Sequence, residues 1–402
     1  MGKPHIRSDE GTAPKGASYS TKSFRAALPE PIRSKGRPAP SSVNPHRLKR
    51  RRRARFGRRG KGKVKAVRLI VTGGAGFIGS SFVRHLWRER PDWEIVNLDL
   101  LTYAADPESL AAATAASPKH TLVRGDIADA DLVQSLFPAD AVVNFAAESH
   151  VDRSIVKPGL FLRTNVVGTG VLLDAARKFG VGRFLQVSTD EVYGSLGAEG
   201  RCSEETPLAP RSPYAASKAA ADHLCLSYHH TFGVPALVTR SSNNYGPRQF
   251  PEKLIPLLVT NALEGSPLPI YGDGLNVREW LHVTDNCRGI LAALERGRPG
   301  QVYNLGGGEE RTNLEVAGEV LRLLGATAPL IVHVPDRLGH DRRYALDSAK
   351  ALAELGWRPQ FSFGEALAGT VAWYRENEGW WRRIKSGVYR EYYARMYPSC
   401  VS

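Results

Sequence analysis

Cysteines and long apolar runs are the features that this sequence has least of. Its 402 residues include only four cysteines, widely spaced and without a CxxC pair: Cys202, Cys225, Cys287 and Cys400. This usage excludes a disulfide framework and a cysteine-based zinc site, and it is typical of proteins in a reducing compartment. No stretch approaches the roughly 18 consecutive apolar residues that a membrane-spanning helix needs. We therefore expect a cytoplasmic protein with no metal site and no membrane partner.

Acidic residues are scarce in the first 65 positions. Residues 1–65 hold 20 Lys and Arg against three acids, so this segment has a net charge of +17 and the rest of the chain a net charge of −2. The segment is rich in Pro, Ser, Gly and Arg and has no apolar periodicity, so we predict a disordered extension. Three interpretations are open: a functionless appendage or over-extended translation start, an organellar transit peptide, and an arm that binds polyanions. We favour the first, and expect no nucleic-acid contact.

From residue 67 onward, short apolar runs alternate with helix-length segments. The alternation predicts βαβ units, and hence an α/β fold: a Rossmann-type, doubly wound parallel sheet with a smaller mixed α/β domain. The predicted strands are 67–71, 94–98, 121–123, 141–145, 183–187 and 236–238, and the helices are 77–90, 166–178 and 214–229.

The turn after the first strand is rich in glycine. Gly73, Gly76 and Gly79 allow a tight turn and a close approach to a pyrophosphate, which would face the N–H groups at the start of the following helix. Asp99 ends the next strand, twenty residues after Gly79. A carboxylate there accepts hydrogen bonds from a ribose 2′-hydroxyl and repels a 2′-phosphate, so the pattern predicts NAD rather than NADP.

A Tyr-x-x-x-Lys pair, Tyr214 and Lys218, opens a predicted helix, so both side chains share one helix face. An ammonium close to a phenol is expected to lower its pKa from about 10 toward neutrality. Such a tyrosine can take the proton of a sugar hydroxyl while the same carbon gives up hydride. Thr189 follows a strand 25 residues upstream. With the glycine turn, these three residues predict a nicotinamide site.

Two acids, Asp190 and Glu191, follow Thr189 directly. A plain oxidoreductase needs only the hydroxyl and the Tyr–Lys pair, whereas adjacent carboxyl groups supply an acid and a base for an elimination. A solvated turn at the end of the strand is the alternative interpretation.

Several sequence blocks resemble those of the extended short-chain dehydrogenase/reductase family and, within it, the dTDP-glucose 4,6-dehydratases. The resemblance covers residues 67–377 and departs from the family pattern at Leu338, where proline is usual. The blocks that carry it are 73–79, 125–127, 144–154, 188–194, 243–256, 271–278 and 336–344.

The resemblance implies a hydro-lyase that retains its NAD. Tyr214 would deprotonate the C4 hydroxyl as hydride leaves C4, with Thr189 bonded to the C4 oxygen. Glu191 would then remove the C5 proton while Asp190 protonates the departing C6 hydroxyl, and the hydride would return to C6. The product would be dTDP-4-keto-6-deoxyglucose, an intermediate of deoxysugar (rhamnose-type) biosynthesis.

The resemblance also implies two sets of binding residues. The cofactor set is Gly73, Gly76, Phe77, Ile78, Gly79, Asp99, Leu100, Leu101, Thr102, Asp126, Ile127, Ala146, Ala147, Glu148, Ser149, His150, Thr164, Tyr214, Lys218 and Asn244. The substrate set is His150, Thr189, Asn243, Lys253, Leu254, Pro269, Ile270, Tyr271, Arg278, Asn313, Asp336, Arg337, Leu338, Gly339 and His340.

The expected domain boundaries follow from these motifs. Residues 66–242 would form the NAD-binding domain, to which the chain returns near 303–305. Residues 243–377 would mainly bind the nucleotide sugar and would end in an amphipathic helix at 362–377. The aromatic and basic tail, 378–402, has no functional interpretation. Family members are usually homodimers, so we expect one here.

Three other functions are compatible with parts of the pattern. A nucleotide-sugar 4-epimerase would share the glycine turn, Thr189 and the Tyr–Lys pair, but would not need Asp190 and Glu191. A 4,6-dehydratase for another nucleotide sugar would differ mainly in its base pocket. A catalytically silent NAD-binding protein would need none of these catalytic residues.

Overall fold

The computed structural model describes residues 67–111, 118–326, 330–386 and 388–400. The predicted disordered extension, 1–65, lies outside these residues, as do the last two positions of the chain. Within the described part, no helix is long and apolar enough to cross a membrane.

Seven parallel strands form the central sheet, in the order β10-β6-β5-β4-β1-β2-β3. This confirms the predicted fold class and the return of the chain to the sheet near 303–305. The strands are β1 (Arg68–Thr72), β2 (Glu94–Asp99), β3 (His120–Arg124), β4 (Ala141–Asn144), β5 (Arg183–Thr189), β6 (Ala236–Ser241) and β10 (Val302–Leu305).

Helices cover both faces of this sheet, which is why its central strands are apolar on both sides. Leu69, Ile70 and Val71 of β1 are completely buried. One face is covered by the helices Phe77–Glu89, Val283–Arg296 and Ala349–Leu355. The other face is covered by Ala130–Ser135, Thr169–Phe179 and Pro213–Phe232.

The strand order reverses between β1 and β4, because β2 lies on one side of β1 and β4 on the other. Loops that leave the carboxyl ends of these strands diverge at this point, and open α/β sheets bind their ligands there. Three short helical segments follow β4, namely Val151–Val156, Pro158–Phe161 and the π-helix Leu162–Gly168, and the 3-10 helix Asp190–Tyr193 follows β5.

The smaller domain has one three-stranded sheet of mixed direction and one two-stranded parallel sheet. The first contains β7 (Asn243–Tyr245), β9 (Val277–His282) and β11 (Glu309–Thr312), and the second pairs β8 (Leu268–Tyr271) with β12 (Ile331–Val334). Its helices are Leu254–Leu263, Asn313–Leu324 and Phe363–Glu376. The last of these agrees with the predicted amphipathic helix.

The segment 378–400 forms two helices, Glu378–Lys385 and Val388–Met396, and a final 3-10 turn, Pro398–Cys400. Trp381 is completely buried within the core of the smaller domain. Tyr397 packs in a second apolar cluster with Leu257 and Val334. The segment that had no functional interpretation is therefore packed into the smaller domain.

Candidate active site

The glycine turn connects β1 to the helix Phe77–Glu89, and three of its glycines, Gly73, Gly74 and Gly79, have no space for a side chain. Gly73 has a φ of +69°, and a Cβ on it would lie 2.6 Å from the backbone nitrogen of Ala146. A Cβ on Gly79 would lie 2.2 Å from the carbonyl oxygen of Gly73. Gly76 is different, since a Cβ there would have its nearest contact at 3.4 Å. The turn is thus packed tightly against the loop after β4.

Asp99 ends β2 beside this turn. Its Oδ2 accepts a hydrogen bond of 2.8 Å from the N–H of Ala75, and its Oδ1 accepts one of 2.8 Å from the N–H of Leu101. Burial raises the pKa of Asp99, while these two hydrogen bonds oppose the rise. Each carboxylate oxygen keeps a lone pair for a further donor, such as a ribose hydroxyl.

A cavity of about 320 Å³ runs from the glycine turn to the end of β5. All the predicted catalytic residues line it, and so do all the predicted cofactor residues except Leu101 and His150. From the predicted substrate set, it is lined by Thr189, Asn243 and Lys253. The structure thus brings together in one groove residues from many separate segments of the sequence, between Gly73 and Lys253.

The end of β5 supplies three neighbouring functional groups. The Thr189 hydroxyl caps the 3-10 helix Asp190–Tyr193 by accepting a hydrogen bond of 3.3 Å from the N–H of Glu191. The same hydroxyl donates to Oδ1 of Asp190 over 3.1 Å. This tight helical turn holds Asp190 and Glu191 at the end of the strand, so the interpretation as a solvated turn is wrong: Asp190 is buried.

Burial distinguishes the two carboxyl groups. It raises the pKa of Asp190 well above the ordinary value, and the neighbouring charges of Glu191 and Glu279 raise it further. Burial also raises the pKa of Glu191, but the cations Arg337, Arg278 and Lys253 oppose that rise. Asp190 is therefore the better proton donor and Glu191 the better proton acceptor.

The Tyr–Lys pair lies on the helix Pro213–Phe232. Its start is fixed by the Ser212 hydroxyl, which accepts a hydrogen bond of 3.1 Å from the N–H of Ala215, and by proline at the first helical position. Lys218 donates a hydrogen bond of 2.5 Å to the carbonyl oxygen of Val187 on β5. This bond ties the helix to the strand that carries Thr189.

The prediction that Lys218 lowers the pKa of Tyr214 toward neutrality is wrong. Burial and the charges of Glu191 and Asp190 raise the pKa of Tyr214, and a hydrogen bond with Thr189 only partly offsets them. Burial also lowers the pKa of Lys218 to about 8. The sequence argument considered the charge of the lysine and omitted the desolvation of both groups.

The other predicted substrate residues surround the cavity without lining it. Arg278 is buried, donates to the carbonyl oxygen of Asp341 over 2.9 Å, and has its guanidinium 4.3 Å from the ring centre of Tyr344. Tyr271 on β8 donates to Asp152 over 3.1 Å. The further members outside the lining are His150, Leu254, Pro269, Ile270, Asn313, Asp336, Arg337, Leu338, Gly339 and His340.

Two of these outlying residues have clear structural surroundings. His150 is buried beside the C-terminal helix, with its ring 5.7 Å from that of Tyr392. Leu338 is 74% exposed, on a loop closed by a 2.6 Å hydrogen bond between His340 and Asp336. A leucine in place of the usual proline is therefore tolerated, since its side chain projects into solvent.

Sequence reasoning missed several residues that line the groove. Many of them lie at or just after the carboxyl end of a strand, a signal that could have identified Ser188, Ser241 and Ser242. The position of Glu252 in the groove lining is evident only from its tertiary contacts. The full set is Leu98, Ala104, Ala105, Gly125, Phe145, Val187, Ser188, Ser241, Ser242, Gln249, Phe250 and Glu252.

The parallel sheet, the glycine turn and the Thr–Tyr–Lys arrangement define an extended short-chain dehydrogenase/reductase. Residues 70–370 match the family model described as GDP-mannose 4,6 dehydratase. A dTDP-glucose 4,6-dehydratase of Streptomyces antibioticus is 56% identical over 325 residues, which cover 79% of this chain and 96% of that protein. The chain belongs to this dehydratase family, and among its members to the dTDP-glucose 4,6-dehydratases, which are hydro-lyases.

Solved structures agree with this assignment. A dTDP-glucose 4,6-dehydratase of Streptomyces venezuelae, solved with NAD bound, has a TM-score of 0.77 and 54% identity, covering 79% of this chain and all of that one. A UDP-glucose 4-epimerase of Thermus thermophilus, in complex with NAD, has a TM-score of 0.72 at 33% identity, covering 77% of this chain and 99% of that one. The fold is thus common to both activities, so side chains rather than the fold must distinguish them.

Proposed function

We propose that this chain converts dTDP-glucose into dTDP-4-keto-6-deoxyglucose, with a retained NAD as cofactor, in deoxysugar biosynthesis. The observation that carries the proposal is the presence of Asp190 and Glu191 beside Thr189 and Tyr214 in one groove. An epimerase interconverts configurations at C4 and has no use for two adjacent carboxyl groups at the reaction centre.

The groove fits NAD. Gly73 and Gly79 leave backbone, rather than side chains, where a pyrophosphate approaches, and Asp99 is placed to accept from a ribose hydroxyl. Asp126 and Ile127 line the far part of the groove, where the adenine would lie. When bound, NAD supplies the hydride acceptor for C4 and the hydride donor for C6, together with the positive charge of its nicotinamide ring.

Tyr214 acts on the C4 hydroxyl. Burial and two carboxyl groups raise its pKa, so the phenol needs positive charge nearby before it can serve as a base. Lys218, with a pKa of about 8, carries part of that charge at neutral pH. Thr189 holds the C4 oxygen by a hydrogen bond while Tyr214 takes its proton.

Glu191 and Asp190 perform the elimination. Once C4 is a ketone, its carbonyl makes the C5 proton acidic, and Glu191 removes that proton. The C5–C6 double bond forms as the C6–O bond breaks, and the proton of Asp190 converts the leaving hydroxyl into water. After hydride has been added at C6, Glu191 returns a proton to C5. The net change is the loss of one water molecule.

Basic residues hold the nucleotide part of the substrate. Lys253 lines the groove, and Arg278 and Arg337 are close enough to Glu191 to lower its pKa. A diphosphate between these cations would form charge-assisted hydrogen bonds. Tyr271 and the loop 336–340 lie beyond them and would contact the nucleoside.

The direct test is incubation of purified protein with dTDP-glucose, without added reductant. We expect a product lighter by one water molecule that carries a ketone, identified by mass and absorbance. Recovery of the unchanged sugar, or of its C4 epimer alone, would refute the proposal. Parallel incubations with GDP- and UDP-sugars test the choice of base, and turnover of one of these alone would reassign the substrate.

We also propose a homodimer. Several large apolar side chains are exposed on the helical segments 151–168, among them Val156 at 68%, Leu162 at 53% and Val167 at 55%. Grouped apolar surface of this kind is typical of an interface between subunits. Light scattering should give twice the mass of one chain, and Leu162→Glu should give a monomer. A monomeric wild-type protein would contradict this proposal.

Two further parts of the proposal concern the cell. Cys202, Cys225 and Cys287 are buried free thiols, which suits an enzyme of the reducing cytoplasm. The basic extension is proposed to be an appendage. Deletion of residues 1–65 should leave kcat within about twofold of the full chain, because the residues that line the groove lie between Gly73 and Lys253. A large loss of activity, or binding of the full chain to nucleic acid, would refute this interpretation.

A further inference from the structure

Tyr103 joins the two sides of the groove. It belongs to the loop 100–106, which follows β2 and contributes Leu100, Thr102 and Ala104 to the groove lining. Its hydroxyl donates a hydrogen bond of 2.9 Å to Oε1 of Glu252, in the opposite wall. Its ring also packs edge-on against Phe250 of that wall, with centroids 5.5 Å apart.

Arg153 reinforces this contact. Its guanidinium carbon lies 3.7 Å from the ring centre of Tyr103 on one side and 4.3 Å from that of Tyr392 on the other. Its Nη2 donates to Oε2 of Glu252 over 3.2 Å. Both carboxylate oxygens of Glu252, whose side chain is only 2% exposed, are therefore occupied by groups from two other segments.

The C-terminal helices hold both sides in place. Tyr389 donates a hydrogen bond of 3.1 Å to the carbonyl oxygen of Pro251, next to Glu252. Trp380 donates one of 2.6 Å to Oδ2 of Asp106, at the end of the loop that carries Tyr103. The same C-terminal segment therefore contacts the cofactor side and the substrate side of the groove.

We infer that Tyr103, Arg153 and Glu252 form a clasp across the groove, and that NAD can leave only when the clasp opens. This inference rests on the proposed function, in which the hydride that leaves C4 must return to C6 of the same molecule. A cofactor that escaped between these steps would end the cycle at an oxidised sugar. The three clasp residues are positioning residues that determine how long NAD stays bound.

Tyr103→Phe is the sharpest test, because it removes the hydroxyl and keeps the ring. The full-length protein is loaded with NAD, freed of excess nucleotide by desalting, and assayed over time for the NAD that remains bound. We expect the dissociation rate constant to rise roughly tenfold, as for the loss of a hydrogen bond to a charged group. With dTDP-glucose, the initial rate should fall in dilute enzyme and recover fully on addition of NAD.

Arg153→Lys provides a second, independent variant. It keeps the positive charge but loses the planar group that stacks between Tyr103 and Tyr392, so we expect a roughly threefold faster loss of NAD. Tyr303→Phe is the matched control: it removes a hydroxyl that donates 2.8 Å to Glu354, outside the groove. This control should retain NAD as the wild type does.

Each outcome decides between the possibilities. Wild-type retention of NAD by Tyr103→Phe would overturn the clasp, as would an activity loss that added NAD does not restore. Equal loss of NAD in Tyr303→Phe would also overturn it, because general destabilisation would then explain the effect. Faster NAD release from Tyr103→Phe in a protein that does not dehydrate dTDP-glucose would refute the proposed function and support the clasp.

Discussion

The glycine turn and the end of β5 lie at the same edge of the sheet but are built in opposite ways. The turn is formed by the absence of side chains: at Gly73 and Gly79 a single Cβ would collide with backbone. The end of β5 is formed by ionisable side chains held where water is excluded, with Asp190 buried and its pKa well raised. Under the proposed function, cofactor binding would depend on backbone shape, while the reaction would depend on desolvated charge.

The largest effect is expected from removing the base at the end of β5. Glu191→Gln should lower kcat for product formation by about 100-fold or more, since a positioned acid or base contributes that much. Initial hydride transfer should persist, which can be measured as nicotinamide absorbance when substrate is mixed with the enzyme. Glu199→Gln, an exposed position, is the control and should behave as the wild type. Unimpaired product formation by Glu191→Gln would exclude it as the base.

The glycine turn can be tested by a pair of substitutions. In Gly79→Ala the new Cβ would lie 2.2 Å from a backbone oxygen, so we expect the free energy of unfolding to fall by about 1–3 kcal/mol. In Gly76→Ala the nearest contact is 3.4 Å, and the change should be within about 0.5 kcal/mol. Urea unfolding of both variants measures the difference. Equal stability of the two would show that backbone shape is not limiting at this turn.

Asp99 lies on the cofactor side of the groove but would act through its charge. It therefore shares its location with the glycine turn and its physical principle with the end of β5. Asp99→Asn removes the negative charge that would repel a 2′-phosphate. We expect the preference for NAD over NADP, measured as the ratio of the two Kd values, to fall roughly tenfold, as for one lost charged interaction. A ratio that stays at the wild-type value would assign cofactor choice to other residues.

The smallest expected effect is on the free energy of unfolding, and it arises from the energetic cost of burying the Asp190 carboxylate. Its pKa is raised in the folded state, so folding must keep a proton that the unfolded chain loses above about pH 4. The contribution of Asp190 to the stability of the wild type should therefore decline as the pH rises above about 4. Asp190→Asn lacks this penalty and should unfold at least about 2 °C higher at pH 7.5, with the gain vanishing below about pH 4. A gain independent of pH would contradict the assigned cause.

Much of the cofactor side could be predicted from sequence, because its signals are local. A strand, three glycines and a helix follow one another within Arg68–Glu89, and Asp99 ends the next strand in the structure as predicted. The apolar run of each strand and the alternation with helices indicated the parallel sheet. The order of neighbouring residues in the sequence is sufficient to predict a site that the backbone itself forms.

The substrate side could not be predicted to the same depth, because its contacts join distant segments. Tyr103 and Glu252 are 149 positions apart, and nothing in the sequence around either one indicates the other. The C-terminal helices had no functional interpretation, although Trp380 and Tyr389 contact both walls of the groove. The pKa of Tyr214 was wrongly predicted, since burial is a property of the folded chain.

The sequence by itself determined the fold class and the glycine turn, and it predicted the reacting groups, from Thr189 to Lys218. These follow from periodicity and from residue type, which need no knowledge of distant contacts. Only the tertiary structure decided which carboxyl group holds its proton, because desolvation and the cations Lys253, Arg278 and Arg337 act through space. It also decided which side chains join the two walls of the groove, because packing brings together residues that the chain keeps far apart.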